Sequence, residues 1–191
     1  TEELLRRAAY ARSTMTGSFW EASGDLAMDD TVPPSIELRG HTDGTYSHDA
    51  PGYRIVQCIS SAGTGGDTTL VDGFAVARRL ESEAPELFEL LSTLSLPGRR
   101  LGAGVDLQST RPVFRHDHTG RLVQVSFNNY DRAPFLLDEH DMVEFYDAVR
   151  LFDEVANEPS MQWRHVLQPG EARSEEHTSE LQSHLNLVCR L

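Results

Sequence analysis

The residues best suited to chemistry in this sequence are His41 and Asp43, which stand two positions apart in the run 38–46. In an extended segment such residues point to the same face, so the imidazole and the carboxylate can converge on one cation. This donor pair suits a first-row transition metal, and one further His would complete the two-His, one-carboxylate face that holds Fe(II) in non-haem oxygenases. Alone, the triplet is also typical of surface loops and caps, so it needs support from the rest of the chain.

The chain beyond this pair contains two runs that could suggest a second binding site, and a series of predicted short strands. The glycine-rich loop at 63–67 has neither a following Gly-Lys-Ser/Thr nor a Gly-x-Gly-x-x-Gly spacing, so we exclude a nucleotide site. His116, Asp117 and His118 are metal-ligand types, but their polar run ends in Thr-Gly between two β-like segments and predicts a hairpin turn. Runs of β-branched and apolar residues between turn signals predict strands at 53–59, 68–71, 111–115, 122–127 and 162–167.

Helices are predicted where apolar residues recur at helical spacing. One covers 74–81, the next begins near Pro85 and ends before Pro97, and the last covers 139–157 with Asp138 as its N-cap. We expect the following residues to form the buried face of the last helix: Met142, Phe145, Tyr146, Val149, Phe152 and Ala156.

Composition limits the class of protein and its partners. The 191 residues are 39% hydrophobic and 25% charged, which is typical of one globular domain with a substantial core. A net charge of −13 argues against nucleic acid or an anionic membrane surface as partner, and no apolar run approaches the roughly 20 residues of a membrane span. Cys58 and Cys189 give no disulfide framework, which fits a reducing compartment, so we expect the cytoplasm.

An ordered set of short motifs extends over about residues 12–172. The motifs are His-Thr-Asp at 41–43, Gly-Gly-Asp-Thr at 65–68, Val-Asp-Gly-Phe at 71–74, Asn-Asn-Tyr-Asp-Arg at 128–132 and Pro-Gly-Glu at 169–171. Together they resemble the Fe(II)/2-oxoglutarate dioxygenases of carnitine biosynthesis, the trimethyllysine and γ-butyrobetaine dioxygenases of the taurine dioxygenase group. The resemblance implies a mainly β fold with helical insertions, a distorted double-stranded β-helix or jelly roll that is incomplete here. In a eukaryotic source it also implies a mitochondrial location.

The resemblance also implies roles for individual residues. His41 and Asp43 would be iron ligands, and Thr68 would lie near the 2-oxoglutarate. The cofactors would be Fe(II), 2-oxoglutarate and O₂, with ascorbate as an additional reductant. The partner would be a small-molecule substrate, and family members are often dimeric.

A trimethylammonium substrate binds well over aromatic faces. The resemblance assigns Phe19, Trp20, Tyr46 and Tyr130 to such a cage; for Phe19 and Trp20, core packing is the alternative. Asn128 and Asn129 would bind the substrate carboxylate. Asp131 would favour trimethyllysine, because that substrate has an α-ammonium group and γ-butyrobetaine does not. The expected reaction is therefore conversion of N6-trimethyllysine to its 3-hydroxy derivative.

Other functions stay open at this stage. γ-Butyrobetaine is the alternative substrate of the same chemistry. The chain is also compatible with a non-catalytic jelly-roll module that binds quaternary ammonium compounds, or with a metal-dependent isomerase or hydrolase on a cupin-like barrel.

The last nineteen residues, 173–191, depart from the family. The resemblance implies a strand with an Asn-Trp-Arg-like stretch and then His-Gly-Arg, which supplies the distal iron ligand and the Arg that pairs with 2-oxoglutarate. Here the segment is polar, lacks β alternation and looks like a translated sequencing adapter joined to a gene fragment, residues 1–172. We therefore expect no strand in 173–191, neither His177 nor His184 as third ligand, open sheet edges, and an inactive chain.

Overall fold

The computed structural model describes residues 11–13, 17–19, 38–61, 67–102, 104–176, 180–184 and 189–190. Trp20, His177 and residues 63–66 of the glycine-rich loop lie outside the described residues. The helices are α1 (Gly73–Glu83), α2 (Pro85–Thr93) and α3 (Glu139–Ala156), followed by a 3₁₀ turn, Pro159–Met161. The strands in chain order are β1 (Leu38–His41), β2 (Tyr53–Gln57), β3 (Ser60–Ser61), β4 (Asp67–Asp72), β5 (Leu96–Gly102), β6 (Val105–Arg111), β7 (Phe114–His116), β8 (Leu122–Val125), β9 (Gln162–Val166), β10 (Ala172–Glu176), β11 (Glu180–His184) and β12 (Cys189–Arg190).

The largest sheet has four antiparallel strands in the order β1-β11-β4-β9. Smaller antiparallel pairs are formed by β2 with β10, β3 with β12, β5 with β6 and β7 with β8. Four predicted strands correspond to β2, β4, β8 and β9, while the one predicted at 111–115 is divided between the end of β6 and β7. Asp117 Oδ1 accepts bonds from the amides of Thr119 and Arg121, which confirms the hairpin turn between β7 and β8.

The three predicted helices are confirmed, and an aspartate caps the N-terminus of two of them, of which Asp138 was predicted. Asp72 Oδ1 accepts bonds from the amides of Phe74 and Ala75 at the start of α1, at 2.9 and 3.0 Å. Asp138 Oδ1 accepts a bond from the amide of Asp141 at the start of α3, at 3.0 Å. In the described part of the chain, no helix has the length and apolar character needed to cross a bilayer.

The main core lies where the helices meet strands β4, β7, β8 and β11. Its largest side chains include Phe114, Phe145 and Phe152, which are fully buried. The prediction that Tyr146 belongs to the buried face of α3 is wrong, because this side chain is 51% exposed. Ala148 and Val155 are buried instead, since they follow Phe145 at spacings that stay on one helical face.

The hairpin of β5 and β6 was not predicted. Pro97, Gly98 and Gly102 all lie within β5, and these residue types are uncommon inside strands. The hairpin is fixed by pairing that runs from Leu96 with Arg111 to Gly102 with Val105.

The expectation that 173–191 contains no strand is wrong for its described residues. β10 alternates exposed and buried positions and pairs with β2, and β11 pairs with both β1 and β4. The pairing comes from the neighbouring strands, whose backbone groups need partners whatever side chains the added strand carries. Whether the segment is native is a separate matter, and its non-native origin stays a prediction.

Candidate metal and substrate site

The imidazole of His41 and the carboxylate of Asp43 face each other at the end of β1. Nε2 of His41 lies 3.6 Å from Oδ1 of Asp43. Nδ1 of His41 lies 2.9 Å from the carbonyl oxygen of Arg39, and because a carbonyl can only accept, Nδ1 carries the hydrogen. The bond at Nδ1 fixes the ring so that Nε2 faces Asp43, and a ring oriented in this way through its other nitrogen is typical of metal-binding histidines.

Electrostatics at His41 reflect this arrangement. Burial alone lowers the pKa of His41, but the carboxylate of Asp43 and the carbonyl of Arg39 outweigh it and raise the pKa above its ordinary value. The protonated form of His41 is therefore stabilised by the carboxylate beside Nε2, and a metal cation between the two groups would take the place of that proton.

The other oxygen of Asp43 binds an arginine that the sequence analysis missed. Oδ2 of Asp43 accepts a 2.7 Å hydrogen bond from Nη1 of Arg54 in β2, and both side chains are partly exposed. One carboxylate oxygen thus points to His41 while the other is held by a guanidinium. The sequence did contain a signal for this contact. Arg54 stands two positions before Val56 in a predicted strand, so both side chains lie on the same face of β2, and Val56 is buried on that face.

The donor set fits Fe(II) in part. An imidazole nitrogen and a carboxylate oxygen converge as two members of a two-His, one-carboxylate face. Within the described ranges, no group of three or more His, Cys, Asp or Glu side chains could hold a metal ion. The described residues therefore supply two of the three expected ligands.

The motif at 128–132 lies beside this pair. Thr42 donates its amide to the carbonyl of Phe127 at 2.8 Å, and its hydroxyl accepts from the amide of Phe127 at 3.0 Å. The ring of Tyr130 packs edge-on against His41 with centroids 6.0 Å apart, and its hydroxyl accepts from the amide of Arg39 at 3.2 Å. These bonds join 38–42 to 127–130.

Asn128 is occupied with holding its own loop. Its Oδ1 accepts from the amide of Tyr130 at 2.8 Å, and its Nδ2 donates to Oδ2 of Asp131 at 3.1 Å. Asn129, in contrast, is exposed and lines a small cavity with Thr45 and Gly98.

Asp131 is buried and paired with a second arginine that the sequence analysis missed. Nη1 of Arg100 in β5 lies 3.4 Å from Oδ1 of Asp131, and the two side chains are 16% and 9% exposed. Burial raises the pKa of Asp131, and the charge of Arg100 opposes this rise. Arg100 gave no sequence signal, because nothing in the sequence predicted a strand over 96–102.

Tyr46 lies between these two groups of charges. Burial raises the pKa of its phenol, and the carboxylates of Asp131 and Asp43 raise it further. Close packing helps to fix this loop, because a Cβ on Gly98 of β5 would lie 2.6 Å from the carbonyl oxygen of Thr45. Tyr46 is therefore near both the predicted metal ligands and Asp131.

The remaining predicted residues are less closely associated with the pair. Thr68 is 5% exposed in β4, which is separated from β1 by β11 in the sheet. Phe19 is half-buried, and Trp20 lies outside the described residues. The structure thus brings together His41, Asp43, Tyr46, Asn128, Tyr130 and Asp131, and it adds Arg54 and Arg100.

Comparison with known proteins gives one consistent family. Residues 1–172 match the family described as taurine catabolism dioxygenase TauD, TfdA. The chain is 35% identical over 176 residues to trimethyllysine dioxygenase of Meyerozyma guilliermondii, which covers 90% of this chain and 44% of that protein. It is 30% identical over 168 residues to γ-butyrobetaine dioxygenase of a Pseudomonas species, covering 88% of this chain and 44% of that protein. The chain therefore spans less than half the length of these relatives.

A solved structure is similar in fold. A putative α-ketoglutarate-dependent taurine dioxygenase from Burkholderia xenovorans superimposes with a TM-score of 0.64 at 18% identity, covering 90% of this chain and 60% of that one. The predicted fold class, a mainly β, partial jelly roll with helical insertions, is confirmed by this likeness.

Proposed function

The chain belongs to the TauD, TfdA dioxygenase family, and we propose that it comes from an Fe(II)- and 2-oxoglutarate-dependent dioxygenase acting on a trimethylammonium substrate. We propose N6-trimethyllysine as the substrate and its 3-hydroxy derivative as the product, in carnitine biosynthesis. The observation that carries the proposal is the pair of donors: Nε2 of His41 faces Oδ1 of Asp43 at 3.6 Å, with Nδ1 held by a backbone carbonyl. The names of the two relatives support the class of substrate.

His41 and Asp43 would hold the iron, which with 2-oxoglutarate and O₂ supplies the oxidation of a C–H bond, and ascorbate would keep the metal reduced. The residues around them have supporting tasks. The carbonyl of Arg39 fixes the ring of His41, and Arg54 holds the carboxylate of Asp43. Thr68 is assigned to the 2-oxoglutarate side by family resemblance alone.

The substrate groups are assigned to the surrounding polar and aromatic side chains. Tyr46 and Tyr130, with Phe19 and Trp20, are proposed to surround the trimethylammonium group. Asp131 is proposed to bind the α-ammonium group, and Asn129 is better placed than Asn128 to bind the carboxylate, since the Asn128 side chain already holds its own loop.

The chain of 191 residues is proposed to be inactive, because its described residues contain two of three iron ligands. The test is to incubate it with Fe(II), 2-oxoglutarate, ascorbate and trimethyllysine, and to measure succinate and hydroxylated product by mass spectrometry. We expect neither product above a His41→Ala control. Formation of both by the unaltered chain would show that a complete site exists and would refute this part of the proposal.

The origin of residues 173–191 is tested at the DNA level. Sequencing the source DNA across the codons for Gly170 to Arg173 should show a frame that continues into a strand with His-Gly-Arg. The full-length enzyme should then hydroxylate trimethyllysine faster than γ-butyrobetaine, and its Asp131→Asn variant should lose that preference. If the variant kept the same preference for trimethyllysine, the proposed role of Asp131 would be wrong. Turnover of γ-butyrobetaine alone by the full-length enzyme would favour the alternative substrate.

A second candidate function is a non-catalytic module that binds quaternary ammonium compounds. It is favoured by one observation, the presence of two rather than three metal ligands among the described residues. It becomes the better proposal if the codons for 173–191 prove to be genomic.

A further inference from the structure

Arg100 and Asp131 place one positive and one negative side chain in contact at the edge of the proposed site. The distance of 3.4 Å between Nη1 and Oδ1 is longer than the roughly 2.7–2.9 Å of an ideal charge-assisted hydrogen bond. Oδ2 of Asp131 accepts a hydrogen bond from the side-chain Nδ2 of Asn128 at 3.1 Å. The carboxylate thus has a firm contact on one oxygen and a loose one, to Arg100, on the other.

The fold fixes Arg100 in this place through β5. The amide of Arg99 donates to the carbonyl of Asp131 at 2.8 Å, and the amide of Ala133 donates to the carbonyl of Pro97 at 2.8 Å. Residues two apart in a strand share a face, so Arg100 lies on the same face as Gly98. That face contacts the backbone of Thr45, which places Arg100 beside the loop that carries Tyr46.

We propose that Arg100 and Asp131 together bind the zwitterionic head group of an α-amino acid. The substrate carboxylate would pair with Arg100 as well as with Asn129, and the substrate ammonium would pair with Asp131, so Arg100 is a specificity-determining residue. The inference rests on the proposed function, and it adds Arg100 to the residues that recognise the substrate.

The charge balance of the pair explains the selectivity. A zwitterion offers an opposite charge to each member of the pair, so both stay compensated when the substrate separates them. A ligand that has a carboxylate alone draws Arg100 away from Asp131 and leaves a buried anion with less positive charge beside it. A ligand that has an ammonium alone draws Asp131 away from Arg100 and offers Arg100 no carboxylate in exchange. Compounds of either kind should therefore bind more weakly.

The test uses the 191-residue chain without metal and three ligands: N6-trimethyl-L-lysine, its carboxamide, and its analogue without the α-amino group. Dissociation constants are measured by NMR titration. We expect the unaltered chain to bind trimethyllysine about ten-fold more tightly than either analogue, which is the loss typical of one charge-assisted hydrogen bond. This comparison needs no variant, so it does not depend on whether a variant folds.

Variants then separate the two charges. Arg100→Gln should bind trimethyllysine and its carboxamide within about two-fold of each other, while Asp131→Asn should lose the preference for the α-amino group. Arg99→Gln is the matched control, because Arg99 pairs with Asp106 through two bonds and is partly exposed on the other face of β5. If Arg100 had only a structural role, Arg100→Gln would weaken the binding of all three ligands equally.

The outcomes distinguish the two proposals. If the unaltered chain binds none of the three compounds, the proposed function fails for this site and the head-group proposal fails with it. If it binds all three with equal affinity, or if Arg100→Gln keeps the preference for the carboxylate, the proposed function stands and the head-group proposal is wrong.

Discussion

Replacing Gly98 by alanine should displace the loop that carries Thr45 and Tyr46. The added Cβ would lie 2.6 Å from the carbonyl oxygen of Thr45 and 3.0 Å from the amide nitrogen of Tyr46, whereas ordinary contact begins at 3.4 Å. The loop or β5 must therefore move by about 0.8 Å, the difference between these distances. Both obstructing atoms are backbone, so no side-chain rotation can relieve the contact.

The expected cost is that of overpacking, about 1–3 kcal/mol in the free energy of unfolding. For a chain of this size it corresponds to a melting temperature lower by roughly 2–12 °C. Since Gly98 anchors the face of β5 that carries Arg100, trimethyllysine should also bind more weakly to the variant.

Gly52→Ala is the control for the change in residue type. A Cβ on Gly52 meets no atom within 4 Å, and the residue is not in the left-handed region. Both substitutions restrict the unfolded chain equally. This restriction stabilises the folded state by about 0.4–1 kcal/mol where the native backbone is unstrained. Urea unfolding followed by circular dichroism measures the difference between them. If Gly98→Ala proves as stable as Gly52→Ala, the close contact of β5 with the 45–46 loop does not exist as described.

Three further predictions concern other parts of the chain. Asp138→Ala should lower the free energy of unfolding by about 1 kcal/mol in urea titration, because it removes the N-cap of α3; an unchanged midpoint would contradict the cap. The pKa of Asp117 is lowered to about 2, chiefly by the hydroxyl of Thr119, so its contribution to stability is present above the ordinary pKa of 3.8 and is lost as the pH falls through 2. Thr119→Val should raise that pKa, which ¹³C NMR titration measures, and no change would refute the assignment. Glu175→Leu should destabilise by about 3–5 kcal/mol because it removes the carboxylate that buried Arg173 contacts, whereas adding Arg173→Met should restore or increase stability; equal stability of the single and double variants would refute the buried pair.

Local signals predicted the helices well because the relevant interactions are local. Leu87, Leu90 and Leu91 recur at helical spacing after Pro85, and the structure has α2 there. The hairpin of β5 and β6 gave no such signal, because bonds to distant residues fix it, such as that from the amide of Arg99 to the carbonyl of Asp131. Strand propensity could not predict a strand that tertiary contacts impose on Pro97 and Gly98.

The same distinction applies to the site. His41, Asp43 and Tyr130 were predicted because each belongs to a short motif, and the structure brings the motifs together through the bonds between Thr42 and Phe127. Arg54 and Arg100 belong to no motif. Their importance comes from the carboxylates they meet, Asp43 and Asp131, and such pairings depend on which strands become neighbours.

Strand β10 has regular backbone pairing but charged side chains at its inward positions. It pairs with all five residues of β2, yet its inward positions carry Arg173 and Glu175, a buried ion pair beside the site. Burial lowers the pKa of Arg173 to about 10, and its charge acts on the neighbouring groups, Arg54 and Asp43. A strand with apolar residues at these two positions would leave Arg54 as the cation on Asp43. If residues 173–191 are non-native, both members of this ion pair are absent from the complete enzyme, and the charge around Asp43 is then set by Arg54 and by the side chains of the native strand.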